Sequence, residues 1–291
     1  MKIAYYPGCS LHAAAREYDA SLKLCLQNLG IELTEVPDWN CCGATSAHSI
    51  DEKLSILLAA RNLSLAKKMV SGKVLAPCAA CYSRLLTSRH RLQTEARLYQ
   101  EIASRLPDLD GVQEMEVLSL LDLLCLRELR DRLKAGIVRP LNGLRVACYY
   151  GCFLVRPAAV TGQPDPEDPT LLEAVLAAAG AEPVPWTYKT ECCGAGFVLP
   201  EPQVVLRLAG EILQAAKRSG ADVIAVACPL CQMNLDARQE AVARELGEEL
   251  HLPVLYVTQL LGLAMGFAPR VLGLKRLLVD PFPALQEKGI I

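Results

Sequence analysis

The chain has 291 residues, and 52% of them are hydrophobic. This length and composition predict a large buried core divided between two domains. The formal net charge is −2 and no basic face is evident, so nucleic acid is not expected as a partner. The first residues lack a signal-peptide pattern, and the apolar stretch 252–269 is interrupted by polar residues and glycines. We therefore expect a cytoplasmic protein without a transmembrane segment, in which thirteen cysteines indicate metal or redox chemistry rather than disulfides.

The first part of the chain predicts the element order β-α-β-α-β-α. Strands are expected at residues 2–6, 31–36 and 73–76. Helical spacing predicts a helix that ends at Gly30, a helix from about Asp51 to Val70 closed by Ser71 and Gly72, and a helix through Leu85 and Leu86. Cysteines follow each strand, at Cys9, Cys41, Cys42, Cys78 and Cys81. Sites in open α/β sheets form at the carboxyl ends of the strands, so these cysteines are expected to share one edge.

The middle of the chain predicts a domain junction. Residues 116–124 and 253–261 are matching apolar segments, and each is interpreted as a final strand that leads into a helix. The charged run 127–134 is typical of a solvated helix face, and the segment 140–143 is the expected junction. We therefore predict a first domain at residues 1–142 and a second domain, with a tail, at residues 143–291.

The second part repeats the same order with one insertion. A strand is expected at 144–150, a helix at 171–180 and a weak strand at 184–186. The insertion, residues 157–169, holds four prolines and is expected to be a loop without regular structure at the rim of a second site. Residues 264–291 have no counterpart in the first part and are expected to pack on the body or on a partner.

The cysteine spacing identifies the two parts as copies of one module. In each, a glycine-preceded cysteine is followed by Cys-Cys-Gly and then by Cys-x-x-Cys. The offset from Cys9 to Cys152 is 143 positions; it is 151 for both members of the Cys-Cys pairs and 150 for both members of the Cys-x-x-Cys pairs. One insertion explains the single jump in offset, so we infer an internal duplication. The ten cysteines of the pattern are the candidate metal ligands: Cys9, Cys41, Cys42, Cys78, Cys81, Cys152, Cys192, Cys193, Cys228 and Cys231.

Five thiols in each copy limit what the pattern can bind. A structural zinc site takes four ligands, and an iron–sulfur cubane also usually takes four cysteines. An adjacent Cys-Cys pair fits a bridging thiolate or a free nucleophile, which favours an unusual cluster, or a cluster with a reactive thiol beside it. Zinc stays open as an alternative, and a thioredoxin-like dithiol would leave six of the ten cysteines unexplained. Gly43 and Gly194 are candidate cofactor-binding residues, because glycine admits a positive φ and a close approach of the backbone.

Several other polar residues are predicted to be structural. Cys25 and Cys125 fall on apolar helical patterns and are expected in the core, and Cys148 lies in a strand. The residues His12, His48, Arg156 and Lys189 lie near the motifs, but surface or capping roles are expected for them.

The complete double motif, together with Tyr6-Pro7-Gly8-Cys9 at the start, resembles the paired cysteine-rich CCG domains of the B subunit of heterodisulfide reductase. The resemblance covers nearly the whole chain. It implies an α/β fold of two similar Rossmann-like domains, each a small sheet flanked by helices. It also implies that each five-cysteine set holds a non-cubane 4Fe–4S cluster.

The same resemblance implies a function and partners. Two facing clusters would reduce a disulfide, such as the coenzyme M–coenzyme B heterodisulfide or a related substrate. Electrons would come from a flavin-containing A subunit through a ferredoxin-like C subunit, since no flavin is expected in this chain. The alternatives are an electron-relay subunit without a disulfide substrate and a zinc-bound interaction module.

Overall fold

The computed structural model describes residues 1–44, 47–69 and 72–291. The elements of the first copy are β1 (Lys2–Tyr5), α1 (Gly8–His12), α2 (Arg16–Asn28), β2 (Glu32–Glu35), α3 (Ala47–Ile50), α4 (Glu52–Lys67), β3 (Lys73–Leu75), α5 (Ala79–Thr94), α6 (Ala96–Ala103), a 3-10 helix (Val112–Glu114), β4 (Glu116–Leu118), α7 (Leu120–Leu124) and α8 (Arg127–Gly136). The predicted helix end at Val70 and the Ser71 after it lie outside the described residues.

The second copy repeats this order. Its elements are β5 (Arg145–Tyr149), α9 (Ala158–Thr161), α10 (Leu171–Ala178), β6 (Glu182–Pro183), a 3-10 helix (Ala195–Phe197), α11 (Pro202–Arg218), β7 (Val223–Val226), α12 (Pro229–Ala237), α13 (Gln239–Leu246), β8 (Val254–Tyr256), α14 (Val257–Ala264), a 3-10 helix (Leu274–Arg276) and α15 (Phe282–Glu287).

Each copy contains one parallel four-stranded sheet. The strand orders are β2-β1-β3-β4 and β6-β5-β7-β8, and all pairs are parallel. The central strand β7 is buried along its whole length, as expected for a strand covered by helices on both faces. The predicted α/β fold with an internal duplication is confirmed.

Two details of the second copy differ from the prediction. The weak edge strand lies at Glu182–Pro183 rather than at 184–186, and Val184 donates its backbone N–H to Val146 as the pairing ends. Pro185 follows and has no N–H to continue the ladder. The insertion was predicted to lack regular structure, but it contains the short helix α9, because Pro157 stands at a helix start, where proline is tolerated. Helix α9 packs against α5 of the first copy.

The two copies meet through equivalent helices. Helix α2 of the first copy packs on α14 of the second, and α10 of the second packs on α7 of the first. In the α2–α14 contact, the hydroxyls of Ser21 and Thr258 lie 2.7 Å apart, and the Cys25 thiol donates to the Thr258 carbonyl at 3.2 Å. This arrangement relates the two copies by an approximate two-fold axis.

The C-terminal tail packs on the body, as predicted. Leu272, Leu274 and Leu285 are fully buried. The Asp236 carboxylate at the end of α12 accepts hydrogen bonds from the backbone N–H groups of Leu278 and Val279, at 2.7 and 3.2 Å. Over the described ranges, no helix is both long enough and apolar enough to cross a membrane.

Candidate metal centres

The five candidate ligands of the first copy lie at the carboxyl edge of its sheet. Cys9 lies in α1, directly after β1, and the Cys41–Cys42 pair lies in the loop after β2. Cys78 caps the N-terminus of α5, and Cys81 lies in the first turn of that helix. Side-chain hydrogen bonds join Cys42 to Cys41 and to Cys81, and Cys81 to Cys78. Cys9 is exposed at the rim.

The second copy repeats this placement at the edge of the other sheet. Cys228 caps α12 and Cys231 lies in its first turn. The sulfurs of Cys193 and Cys231 lie 3.7 Å apart, and Cys231 also contacts Cys228. Cys152, in the loop after β5, hydrogen-bonds with Cys192. The matching sequence patterns therefore produce matching arrangements of sulfur.

A contact between Cys78 and Cys228 joins the two sets. Their side chains hydrogen-bond with each other across the boundary between the copies, and both residues are 2% exposed. Seven thiols consequently form one continuous row that begins at the exposed Cys41 and continues through the buried Cys42, Cys81, Cys78, Cys228, Cys231 and Cys193. The two sites are therefore adjacent, and the Cys78–Cys228 contact is the border between them.

These hydrogen bonds determine which thiols ionise. Donation from Cys41 and Cys81 lowers the pKa of Cys42 to about 3, and the pKa of Cys41 rises in turn. Donation from Cys152 lowers the pKa of Cys192 to about 6. Donation from the Cys231 and Cys78 side chains likewise holds the pKa of Cys228 well below its ordinary value. Each copy therefore contains thiolate at neutral pH, and thiolate is the form that binds metal.

The glycines of the Cys-Cys-Gly motifs have the predicted positive φ. Gly43 and Gly194 have φ of +82° and +78°, and each donates its N–H to the first sulfur of its motif, Cys41 or Cys192, at 3.4 Å. A Cβ at Gly194 would come within 3.2 Å of the Val205 backbone. A direct contact of these glycines with a cofactor stays a prediction.

Two further glycines were not singled out as functional from the sequence. Gly8 and Gly151 have positive φ, and a Cβ built on them would lie 2.8 Å from the Cys81 sulfur and 3.0 Å from the Cys231 sulfur. Only a residue without a Cβ fits so close to a ligand sulfur. The signal in the sequence that could have identified these two glycines is that a glycine precedes the lone cysteine in both copies.

Two tyrosines were also missed. The Tyr6 hydroxyl donates to the Asn40 carbonyl at 2.7 Å, and the Tyr149 hydroxyl donates to the Glu191 carbonyl at 2.6 Å. Each acceptor directly precedes a Cys-Cys pair, so each tyrosine anchors the loop that carries that pair. The signal was a tyrosine three positions before the lone cysteine in both copies.

The copies differ at one position beside the Cys-Cys pairs. Asn234, on α12, donates its side-chain amide to the Cys193 carbonyl at 3.0 Å. The matching position on α5 is Arg84, whose positive charge favours the thiolate of Cys42. The first site therefore has a cation where the second has a neutral amide.

The three cysteines outside the pattern lie in α2, in β5 and at the end of α7. Cys25 is fully buried, and burial raises its pKa to about 12. Cys148 is buried in β5, as predicted. Cys125 was predicted in the core but is only half-buried, because it caps the end of α7 and packs against the core from its edge.

The nearby histidines and cations have structural partners or are exposed. His12 pairs with the Glu35 carboxylate at 3.1 Å, and His48 is exposed. Lys189 is 8% exposed rather than solvated, because its ammonium contacts the carboxylates of Asp168 and Glu173 at 2.5 and 2.9 Å.

Arg156 also has a structural role. It pairs with Glu167 and donates to the Thr190 carbonyl at 2.9 Å. Lys189 and Arg156 thus fix the loop before Cys192 and lie outside the candidate ligand set.

The donor set fits a thiolate-bound iron–sulfur centre by its chemistry. It consists of five sulfur atoms in each copy, one more than a closed zinc site uses. Across residues 1–44, 47–69 and 72–291, no three His, Cys, Asp or Glu side chains are arranged to hold a single metal ion. The sulfurs pack against each other, so holding a cluster requires these side chains to rotate apart.

Comparison with known proteins identifies the family. The family described as "Cysteine-rich domain" (CCG) matches twice, at residues 3–85 and 146–236. The chain is 34% identical to the 8-methylmenaquinol:fumarate reductase membrane anchor subunit of Wolinella succinogenes, over 96% of this chain and 97% of that protein. It is 31% identical to the B subunit of the ferredoxin/F420H2-dependent CoB-CoM heterodisulfide reductase of Methanosarcina acetivorans, over 94% of this chain and 93% of that protein.

A solved structure shares the fold. The crystal structure of a hypothetical protein from Helicobacter pylori matches with a TM-score of 0.71 at 13% identity, over 96% of this chain and 52% of that one. The duplicated cysteine motif, the two matching sheets and the relatives agree. The chain belongs to the family of the heterodisulfide reductase B subunit and is built from two cysteine-rich CCG domains.

Proposed function

We propose that the chain is the disulfide-reducing subunit of a heterodisulfide reductase-type complex and holds two non-cubane 4Fe–4S clusters. The observation that carries this proposal is the contact between Cys78 and Cys228, which brings two complete five-cysteine sets together at one border. A disulfide has two sulfur atoms, and two adjacent centres match them one to one.

The residues of the chain would hold and enclose the clusters. The first set would be held by Cys9, Cys41, Cys42, Cys78 and Cys81, and the second by Cys152, Cys192, Cys193, Cys228 and Cys231. When bound, the clusters would supply one electron each to the disulfide. Cys78 and Cys228 are deeply buried, so the border is shielded from water, whereas Cys9 and Cys41 are exposed and open the first site to substrate.

The proposed reaction is R–S–S–R′ with two electrons and two protons, giving two thiols. The electrons would come from a flavin-containing A subunit through a ferredoxin-like C subunit, and no flavin is proposed for this chain. The name of the Methanosarcina relative, part of a ferredoxin/F420H2-dependent CoB-CoM heterodisulfide reductase, supports this class of donor and of substrate. The proposed location is the cytoplasm, where reducing conditions keep cysteines as thiols.

A second candidate is an electron-relay subunit without a disulfide substrate. The identity of 34% to a subunit of a menaquinol:fumarate reductase favours it. Large apolar side chains are also exposed close to the ligands of the second site: Phe153 next to Cys152, and Phe197 and Leu199 shortly after Cys193. Such residues suit docking to an apolar surface as well as to an apolar substrate.

Metal analysis of anaerobically purified protein tests the cluster assignment. Cys42→Ser and Cys193→Ser should each lose about half the iron, because each removes a ligand of one of two centres. Cys25→Ser is the matched control. It should keep all the iron, since a hydroxyl can still donate to the Thr258 carbonyl. Colourless protein with zinc and no iron, or iron loss in Cys25→Ser, would overturn the assignment.

Two turnover assays on the iron-loaded wild type separate the candidates. Reduction of a disulfide with an artificial electron donor supports the first. Oxidation of the reduced protein by a menaquinone analogue, without any disulfide reduction, supports the second.

A further inference from the structure

One buried hydroxyl lies between the two Cys-x-x-Cys motifs. The Tyr18 side chain on α2 is fully buried, and its hydroxyl lies 3.2 Å from the Ala227 carbonyl and 3.4 Å from the Pro77 carbonyl. These carbonyls belong to the residues directly before Cys228 and Cys78. A single hydroxyl proton is therefore shared between equivalent turns of the two copies.

The ring of Tyr18 is held as firmly as its hydroxyl. It stacks on Tyr256 with the ring centroids 4.2 Å apart and the planes within 1° of parallel. Because Tyr256 ends β8 of the second copy, the stack spans the boundary between the copies. The Tyr256 hydroxyl contacts the Gln232 side chain at 3.4 Å instead of a ligand turn.

Tyr18 breaks the internal symmetry of the chain. Aligned on Gly30 and Gly180, the position of Tyr18 corresponds to Asp168 in the second copy, which is exposed and pairs with Lys189. Tyr18 therefore reaches the turns of both copies, Pro77 and Ala227, from the first copy alone. Burial raises the pKa of Tyr18 well above its ordinary value, so the hydroxyl keeps its proton.

We propose that Tyr18 is a positioning residue of the two-centre site, whose hydroxyl fixes the Cys78 turn relative to the Cys228 turn and thereby sets the coupling between the two centres. The inference rests on the proposed function for its electronic part. Its structural part concerns the chain alone and can be tested without iron.

Hydrogen exchange of the iron-free protein tests the structural part. In Tyr18→Phe the stacked ring remains and only the hydroxyl is lost. The first helical amides after the two motifs, Tyr82 and Gln232, should both exchange about fivefold faster, the factor that corresponds to one lost hydrogen bond. Tyr256→Phe, which removes the other hydroxyl of the stack, should leave Tyr82 unchanged. Exchange in Tyr18→Phe equal to that of the wild type overturns the proposal.

Spectroscopy of the iron-loaded protein tests the electronic part. Tyr18→Phe should keep the iron content of the wild type but change the magnetic interaction between the reduced centres and the separation of their midpoint potentials. Tyr256→Phe should retain the wild-type values of both. Faster exchange in Tyr18→Phe with unchanged coupling and potentials would reduce Tyr18 to a purely structural role and overturn the proposal. If the wild-type protein does not hold two iron–sulfur centres, the proposed function and the electronic part of this proposal are both overturned. Hydrogen exchange of the iron-free protein still decides the structural part in that case.

Discussion

Gly8 and Gly151 lie against the sulfurs of two candidate ligands, Cys81 and Cys231. At Gly8 a methyl group would lie 2.8 Å from the sulfur of Cys81, well inside contact distance. The sulfur of a buried cysteine in the first turn of a helix has little room to retreat. The absence of a side chain at Gly8 therefore leaves the space that the proposed ligand Cys81 occupies.

Gly8→Ala should lower the iron content of the protein by about half, because only the first of two centres loses its ligand geometry. Gly143→Ala is the matched control: Gly143 also has positive φ, at +78°, but a Cβ there meets nothing within 4 Å. Gly143→Ala should lose about 1 kcal/mol of stability from the left-handed backbone. Gly8→Ala should lose more, because its methyl group also meets the Cys81 sulfur. Iron analysis and urea unfolding check this, and equal iron in both variants would contradict it.

The clearest chemical difference between the copies is that the first has Arg84 at the position where the second has Asn234. A cation near the Cys42 sulfur stabilises negative charge at the first site, whereas the amide of Asn234 fixes the Cys193 loop without adding charge. The duplicated sites are therefore electrostatically unequal, and electrons added to the pair would not divide evenly between them.

At the scale of elements, the loop that carries Cys192 and Cys193 depends on a buried ion pair. The Lys189 ammonium binds Glu173 of α10, and the Lys189 carbonyl accepts the backbone N–H groups of Tyr150 and Gly151. Lys189 thus connects the loop before Cys192 to α10 through its ammonium and to the turn before Cys152 through its carbonyl. In the first copy, the equivalent loop is held by Asn62, whose side chain bonds both backbone groups of Asn40.

Lys189→Met should lower the free energy of unfolding by about 3 kcal/mol, because the Glu173 carboxylate would remain largely buried without its cation. Lys217→Met removes a lysine from an ion pair with Glu248 in which both side chains are about half exposed, and it should change the free energy of unfolding far less. Urea unfolding of the iron-free variants measures both. Similar losses for the two would show that Lys189 does not hold the loop.

At the scale of the whole molecule, the copies depend on each other. Tyr18, Ser21 and Cys25 of α2 contact the second copy, and α9 of the second copy packs on α5 of the first. Each copy therefore covers apolar surface of the other. The boundary between residues 142 and 143 stays a prediction, and these contacts join residues on its two sides.

Fragments 1–142 and 143–291 should consequently not behave as folded monomers when each is produced alone, because each would expose its interface. Produced together, they should form a one-to-one complex with the circular dichroism of the intact chain. Light scattering of the separate and combined fragments decides this. A monomeric, cooperatively unfolding 1–142 would contradict the prediction.

The predictable parts of the fold were those encoded locally. Strands β1, β3 and β5 follow from short apolar runs, and α5 contains Leu85 and Leu86 as the helical pattern predicts. The predictions were wrong for elements that depend on contacts with distant parts of the chain more than on neighbouring residues. The edge strand β6 pairs through two residues and was placed too late, and α9 is one turn stabilised by packing on the other copy.

The sequence by itself determined the duplication, the parallel sheets and the two sets of five cysteines, because periodicity and motif spacing are properties of neighbouring positions. The tertiary structure alone decided that Cys78 meets Cys228, that Tyr18 lies between their turns, and that Gly8 lies against Cys81. Cys78 and Cys228 are 150 positions apart in the chain, and Tyr18 is 59 positions from Pro77 and 209 from Ala227. They meet because α2 packs on α14 and α10 packs on α7, and local periodicity shows an apolar helix face without showing which helix covers it.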